Sequence, residues 1–154
     1  MKYHEPSPQS TSRRSPETER RLRAAENCAT FGLLLVCVGL VSPFFSQSIG
    51  WVMDVSKWVY TAGALIYLGA RIAGVVADRG ASMRVRRLRR MEGWAGVCFC
   101  VGAFFWLFNF YRFGSLGFGL KVIGETVTFT LAGAVIQIIA SWLLASALRK
   151  EINP

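Results

Sequence analysis

Long apolar stretches alternate with short, strongly basic ones along this chain. The apolar stretches fall at about 28–48, 56–77, 93–111 and 123–147. A bilayer-crossing helix needs about 20 largely apolar residues. Each stretch meets that length, so the pattern predicts an all-α, four-helix transmembrane bundle with little chain left for a soluble domain. Residues 1–14 (MKYHEPSPQSTSRR) lack periodicity and are rich in Pro, Ser and Thr, which predicts a disordered head. Ser15-Pro16-Glu17 then reads as a helix start: an N-cap, a proline at the first helical position and an acid in the first turn. The apolar run from Cys28 is too long for a signal-peptide core and lacks a small-residue cleavage site, so it is expected to stay as an anchor. Pro43 sits near the end of the first span, where a lost backbone hydrogen bond costs least.

The polar segments complete the organisation. The first hairpin is expected over 15–79 and the second over 80–150, with a short tail at 151–154. The segment DRGASMRVRRLRRME, at 78–92, is the most basic and reads as the loop between spans two and three. The link RFGSLGFGLK, at 112–121, holds three glycines and reads as a flexible turn.

Composition alone is only suggestive: 53% of residues are hydrophobic and the mean hydropathy is +0.37. The placement of the net charge of +9 says more. Fourteen Lys and Arg flank one side of the four spans, in the head, the 78–92 segment and the tail, whereas Lys57, Arg112 and Lys121 are the three on the other. Cytoplasmic flanks carry the excess of Lys and Arg, so both termini and the middle segment are expected in the cytoplasm. Trp51, Trp58, Trp106 and Tyr111 near the outer ends, and Trp94 at the inner end, read as interface anchors.

The two halves look alike. RRLRAAE at 20–26 matches RRLRRME at 86–92 in five of seven positions, at an offset of 66. AGALI at 62–66 matches AGAVI at 132–136 in four of five, at an offset of 70. Each match occupies the same place in its hairpin, which points to tandem duplication of a two-helix unit. Both copies then keep one orientation, with a pseudo-twofold axis along the membrane normal, and the AGAxI segments are expected to meet near it.

A four-span chain with R-R-L-R-R, here at 86–90, ahead of its third span resembles a group of short bacterial inner-membrane proteins without assigned activity. The likeness covers roughly residues 55–150. It implies the topology and a bacterial inner membrane, and it carries over no functional residue.

Candidate chemistry is sparse. Serine-hydrolase, zinc and P-loop signatures are missing from the sequence, His4 is the lone histidine, and no paired carboxylate is apparent at membrane depth. No catalytic residue, metal site or cofactor is therefore expected. Cys28, Cys37, Cys98 and Cys100 form no C-x-x-C and read as packing or lipid-facing residues.

Arg71 is the most unusual residue, a cation inside the second span. It is expected to snorkel to the inner headgroups with help from Asp78, seven residues on along the same face. The functional alternative is an anion or headgroup contact inside the bundle. Glu125 opens the fourth span, where a carboxylate suits the positive helix end. Thr130, Ala134, Gln137, Ser141 and Ala145 fall on one face of the fourth span as a small, polar, helix-packing stripe.

The basic cluster Arg84, Arg86, Arg87, Arg89 and Arg90 is too short for a nucleic-acid module and lacks interleaved aromatics, so no nucleic-acid partner is expected. Anionic lipid headgroups or a protein partner fit it better. The resulting expectation is a non-enzymatic scaffold or accessory subunit in the bilayer, alone as a homo-oligomer or with a membrane-protein partner. The rival is a small transporter or channel using Arg71, Glu125 and Gln137.

Overall fold

The computed structural model describes the backbone of residues 16–45, 50–77, 83–113 and 119–152, and the side chains of 16–45, 51–77, 83, 85–108, 124–147 and 149. All the described residues are helical: α1 Pro16–Phe45, α2 Gly50–Ala77, α3 Met83–Phe113 and α4 Gly119–Ile152. Each contains a span long and apolar enough to cross a membrane, so the chain is a multi-pass membrane protein. The predicted head at 1–14, Asp78, Arg79, the side chains of Arg84 and Tyr111, and the side chains of the 112–121 link lie outside the described residues.

α1 begins at Pro16, the residue whose fixed φ and missing N–H suit a first helical position. It runs through Pro43 to Phe45. A proline at 43 leaves the carbonyl of Gly39 without its N–H, and the Ser42 hydroxyl lies 3.3 Å from that oxygen and takes its place. Ser42 also lies 2.6 Å from the Ser56 hydroxyl on α2, tying the helix end to its neighbour.

The basic segment differs from its sequence reading. Residues 83–91 are not a loop but the first turns of α3, continuous with the span. Arginine is a good helix former, and a run of it adjoining an apolar helix extends that helix rather than breaking it.

α1 packs along α2 and α3 along α4, and α2 against α3 joins the two hairpins. The core holds Ala29, Val36, Tyr60, Ala64, Tyr67, Ala70, Phe99, Ala103 and Trp106. Leu34, Val38, Leu131, Ile138 and Trp142 point outward. Lipid tails are as apolar as leucine, so large aliphatics gain nothing by turning in, while small residues allow close helix approach.

The closest approach is between α1 and α2. A Cβ added to Gly63 would lie 2.7 Å from both the Gly32 carbonyl oxygen and the Val36 amide nitrogen, and one on Gly39 would lie 2.6 Å from the Tyr60 nitrogen. Gly133 packs instead on Phe99 and the Ala95 carbonyl of α3. The glycine of each AGAxI segment therefore faces its own hairpin partner rather than its twin.

Two further expectations are corrected. Trp106 is not an interface anchor: it is buried against Tyr60, ring centroids 5.5 Å apart. Along α4 the buried small positions are Thr126, Gly133, Ala140 and Ala147, seven apart, with Thr130 beside them. Of the predicted stripe, Thr130 is buried, Ala134 and Gln137 are half-buried and Ser141 and Ala145 are exposed, with Gln137 and Ser141 bonded to Tyr67 of α2 and Glu92 of α3. The thiols of Cys28 and Cys37 are free and exposed, while Cys98 and Cys100 are half-buried.

Candidate functional site

Arg71 turns into the bundle. Its guanidinium donates to the Glu92 carboxylate of α3 across 2.9 Å, and the two side chains are only 18% and 4% exposed. The same guanidinium lies 5.2 Å from the centre of the Tyr67 ring, one turn earlier on α2. In place of the expected snorkelling, Arg71 makes an ion pair with a residue of another helix. Desolvation explains the choice: a guanidinium held in a low-dielectric interior is far better off against a carboxylate than alone.

The other carboxylate oxygen of Glu92 accepts from the Ser141 hydroxyl of α4, at 3.4 Å. Ser141 accepts from the Gln137 amide nitrogen at 3.0 Å. The Gln137 carbonyl accepts from the Tyr67 hydroxyl. Tyr67, Gln137, Ser141, Glu92 and Arg71 therefore form one network across three helices, in which Ser141 and Arg71 donate to the carboxylate and Tyr67 and Gln137 donate in turn toward Ser141. A second polar bridge lies two turns away. The Tyr60 and Thr130 hydroxyls lie 2.7 Å apart, with the Thr126 carbonyl 2.7 Å from Thr130 and the Phe99 carbonyl 3.4 Å from Tyr60 as acceptors.

Beside the ion pair is a small cavity lined by Leu22, Glu26, Arg71, Gly74, Arg89 and Glu92 among others, with a volume of about 10 Å³. That is room for about one water. Arg71 Nε, buried without a protein partner, belongs to a lining residue. Glu26 and Glu92 end the two matched RRLR motifs, so equivalent glutamates border one cavity. Sequence reading missed this pair of acids, although the shared final glutamate of the motif was the available signal.

The sequence-predicted residues are brought together only in part. Arg71, Gln137 and Ser141 join the network. Glu125 does not: it is exposed, sixteen residues before Ser141 on the same helix, which at 1.5 Å per residue is about 24 Å away. Arg87 and Arg90 are exposed and Arg86 and Arg89 are half-buried at the start of α3. At the opposite end Lys57 is buried and paired to Asp54 at 2.6 Å, which removes it as a surface cation. Comparison with protein-family models, with curated proteins and with solved structures finds no match to this chain.

Proposed function

We propose that this protein is a non-enzymatic scaffold or accessory subunit of a membrane complex. Its place is the bacterial inner membrane, with both termini cytoplasmic and the arginine-rich end against the inner leaflet. The observation carrying this reading is that the intramembrane polar groups are bonded to one another. Arg71, Glu92, Ser141, Gln137 and Tyr67 are bonded to one another beside a space of about 10 Å³. Such a network fixes helix positions, and the space enclosed between Arg71, Glu92 and Glu26 holds no solute larger than water. A transporter using Arg71, Glu125 and Gln137 would need all three on one cavity, and Glu125 stands apart.

Affinity purification of the full chain in mild detergent tests the role. A stoichiometric partner or a defined homo-oligomer is expected, and a lone monomer under several detergents overturns the proposal. Orientation is tested separately. Alkaline phosphatase fused after Phe113 should be active and the same enzyme fused at Pro154 inactive. The reverse pattern overturns the cytoplasmic placement.

Tandem duplication of one hairpin, which we propose from the matched motifs, fits the same static role. The pairs Tyr60–Thr130 and Tyr67–Gln137 are each separated by 70 residues, the offset at which AGALI and AGAVI align. Burial repeats at that offset too, at Ser56 and Thr126, Gly63 and Gly133, and Ala70 and Ala140. In a twofold arrangement only residues on the axis touch their own equivalents. The two tyrosine contacts lie seven residues apart along α2, on the face where such an axis would run, while among the described residues the α2–α3 packing has no α1–α4 counterpart of similar extent. If the hairpins are copies, leucine at Gly133 should also be damaging, though less than at Gly63, because its Cβ meets the Phe99 ring at 2.7 Å rather than backbone. A harmless Gly133→Leu would count against equivalence.

A further inference from the structure

We propose that the groove between α2 and α3 at the arginine-rich end holds one anionic phospholipid of the inner leaflet. The acyl chain lies between the helices and the phosphate sits on Arg90. This rests on the placement of that end in the inner leaflet, which the phosphatase fusions test independently.

The groove has a volume of about 360 Å³ and walls of Leu68, Ile72, Val75, Val76 and Val97, closed at its polar end by Arg90 and Trp94. Its walls are almost wholly apolar, which suits a hydrocarbon chain and no soluble ligand. Arg71 also borders it, but its charge is neutralised by Glu92. The charge left to meet a headgroup is that of Arg90, exposed on the same face as Arg86 one turn earlier. Trp94 is exposed one turn after Arg90; tryptophan is the residue that settles at headgroup depth. Basic pockets between transmembrane helices at the cytoplasmic face suit anionic headgroups on charge and geometry.

Gly93 supplies the second observation. It lines the groove, and a Cβ built on it meets no protein atom within 4 Å. Glycine inside a helix is unfavourable by about 1 kcal/mol relative to alanine. Elsewhere in the bundle the glycines at 32, 39 and 63 are explained by backbone approaching at 2.6–2.9 Å. Gly69 and Gly124 are open in the same way; at Gly93 the open space lies within the groove and leaves room for an acyl chain against the helix backbone.

The test uses the full chain in detergent, titrated with phosphatidylglycerol or with phosphatidylcholine of the same chains and followed by native mass spectrometry. The wild-type protein should retain phosphatidylglycerol preferentially. Arg90→Gln should lower that affinity about fivefold and leave phosphatidylcholine unaffected. Gly93→Leu, at a position whose Cβ meets no protein atom within 4 Å, puts a side chain into the groove and should abolish the preferential adduct, while Arg149→Gln, on α4, should behave as wild type. Equal retention of the two lipids overturns the proposal. So does undiminished binding by Gly93→Leu, which would put the lipid on the surface arginines alone. A loss by Arg149→Gln as large as that by Arg90→Gln overturns it too, by showing diffuse attraction. Thermal unfolding of each variant without added lipid separates misfolding from lost binding.

Discussion

Glu92→Leu should destabilise the bundle by about 3–5 kcal/mol, the usual cost of removing one partner from a buried ion pair. Arg71 would be left with its guanidinium largely enclosed, 18% exposed, and with no carboxylate beside it. Ser141 would lose its acceptor at the same time. The double variant Arg71→Leu/Glu92→Leu should recover most of that loss, because replacing both charges with apolar groups also removes both desolvation penalties. Unfolding in a mixed-detergent titration measures the four proteins of this cycle. A cost below about 1 kcal/mol for Glu92→Leu would mean that Arg71 escapes to the headgroups by snorkelling. A double variant as unstable as the single one would mean that the pair is not what holds α2 to α3. Removing a neutral member of the network is a smaller matter. Side-chain hydrogen bonds within membranes average about 0.6 kcal/mol in double-mutant cycles, so Tyr67→Phe should fall well short of Glu92→Leu.

Gly63→Leu is the second large effect. A Cβ at this position would stand 2.7 Å from backbone atoms of Gly32 and Val36. Backbone cannot swing aside as a flexible side chain can, so α1 and α2 must separate along their whole contact. Overpacking a tight core costs about 1–3 kcal/mol, and leucine should sit at the upper end of that range. Gly63→Ala should show the same sign with a smaller size. By contrast Gly69→Leu, whose Cβ would meet nothing within 4 Å, should be close to neutral. The same detergent titration reads all three. An unchanged Gly63→Leu would refute the close backbone packing of the first hairpin.

The weak points of the sequence reading share one cause. Arg71 stood out because a cation within an apolar span needs a partner, and the nearest acid in sequence was Asp78. The acid that answers it is Glu92, 21 residues away on the next helix. Trp106 looked like an interface anchor because it lies near a span end, yet the ring of Tyr60 receives it in the core. The stripe on α4 was placed by helical spacing, which defines a face but not which neighbour covers it. Thr130 and Gln137 proved to meet tyrosines, while Ala145 is exposed.

What the sequence determined by itself was everything that depends on local composition. The four helices, their capacity to span a bilayer and the start of α1 at Pro16 follow from runs of apolar residues and one capping signal. The concentration of arginine at one end follows the same way. These properties arise within a single helix, or between a helix and its solvent. The tertiary structure decided what depends on two helices at once. It gave Arg71 the Glu92 carboxylate of another helix, and it turned Gly32, Gly39 and Gly63 into contact points. It also joined Tyr60 to Thr130 and Tyr67 to Gln137 across 70 residues. In a bilayer all apolar faces are equally content with lipid. The choice of which faces meet is therefore left to small residues that permit approach and to the few polar groups that must find one another.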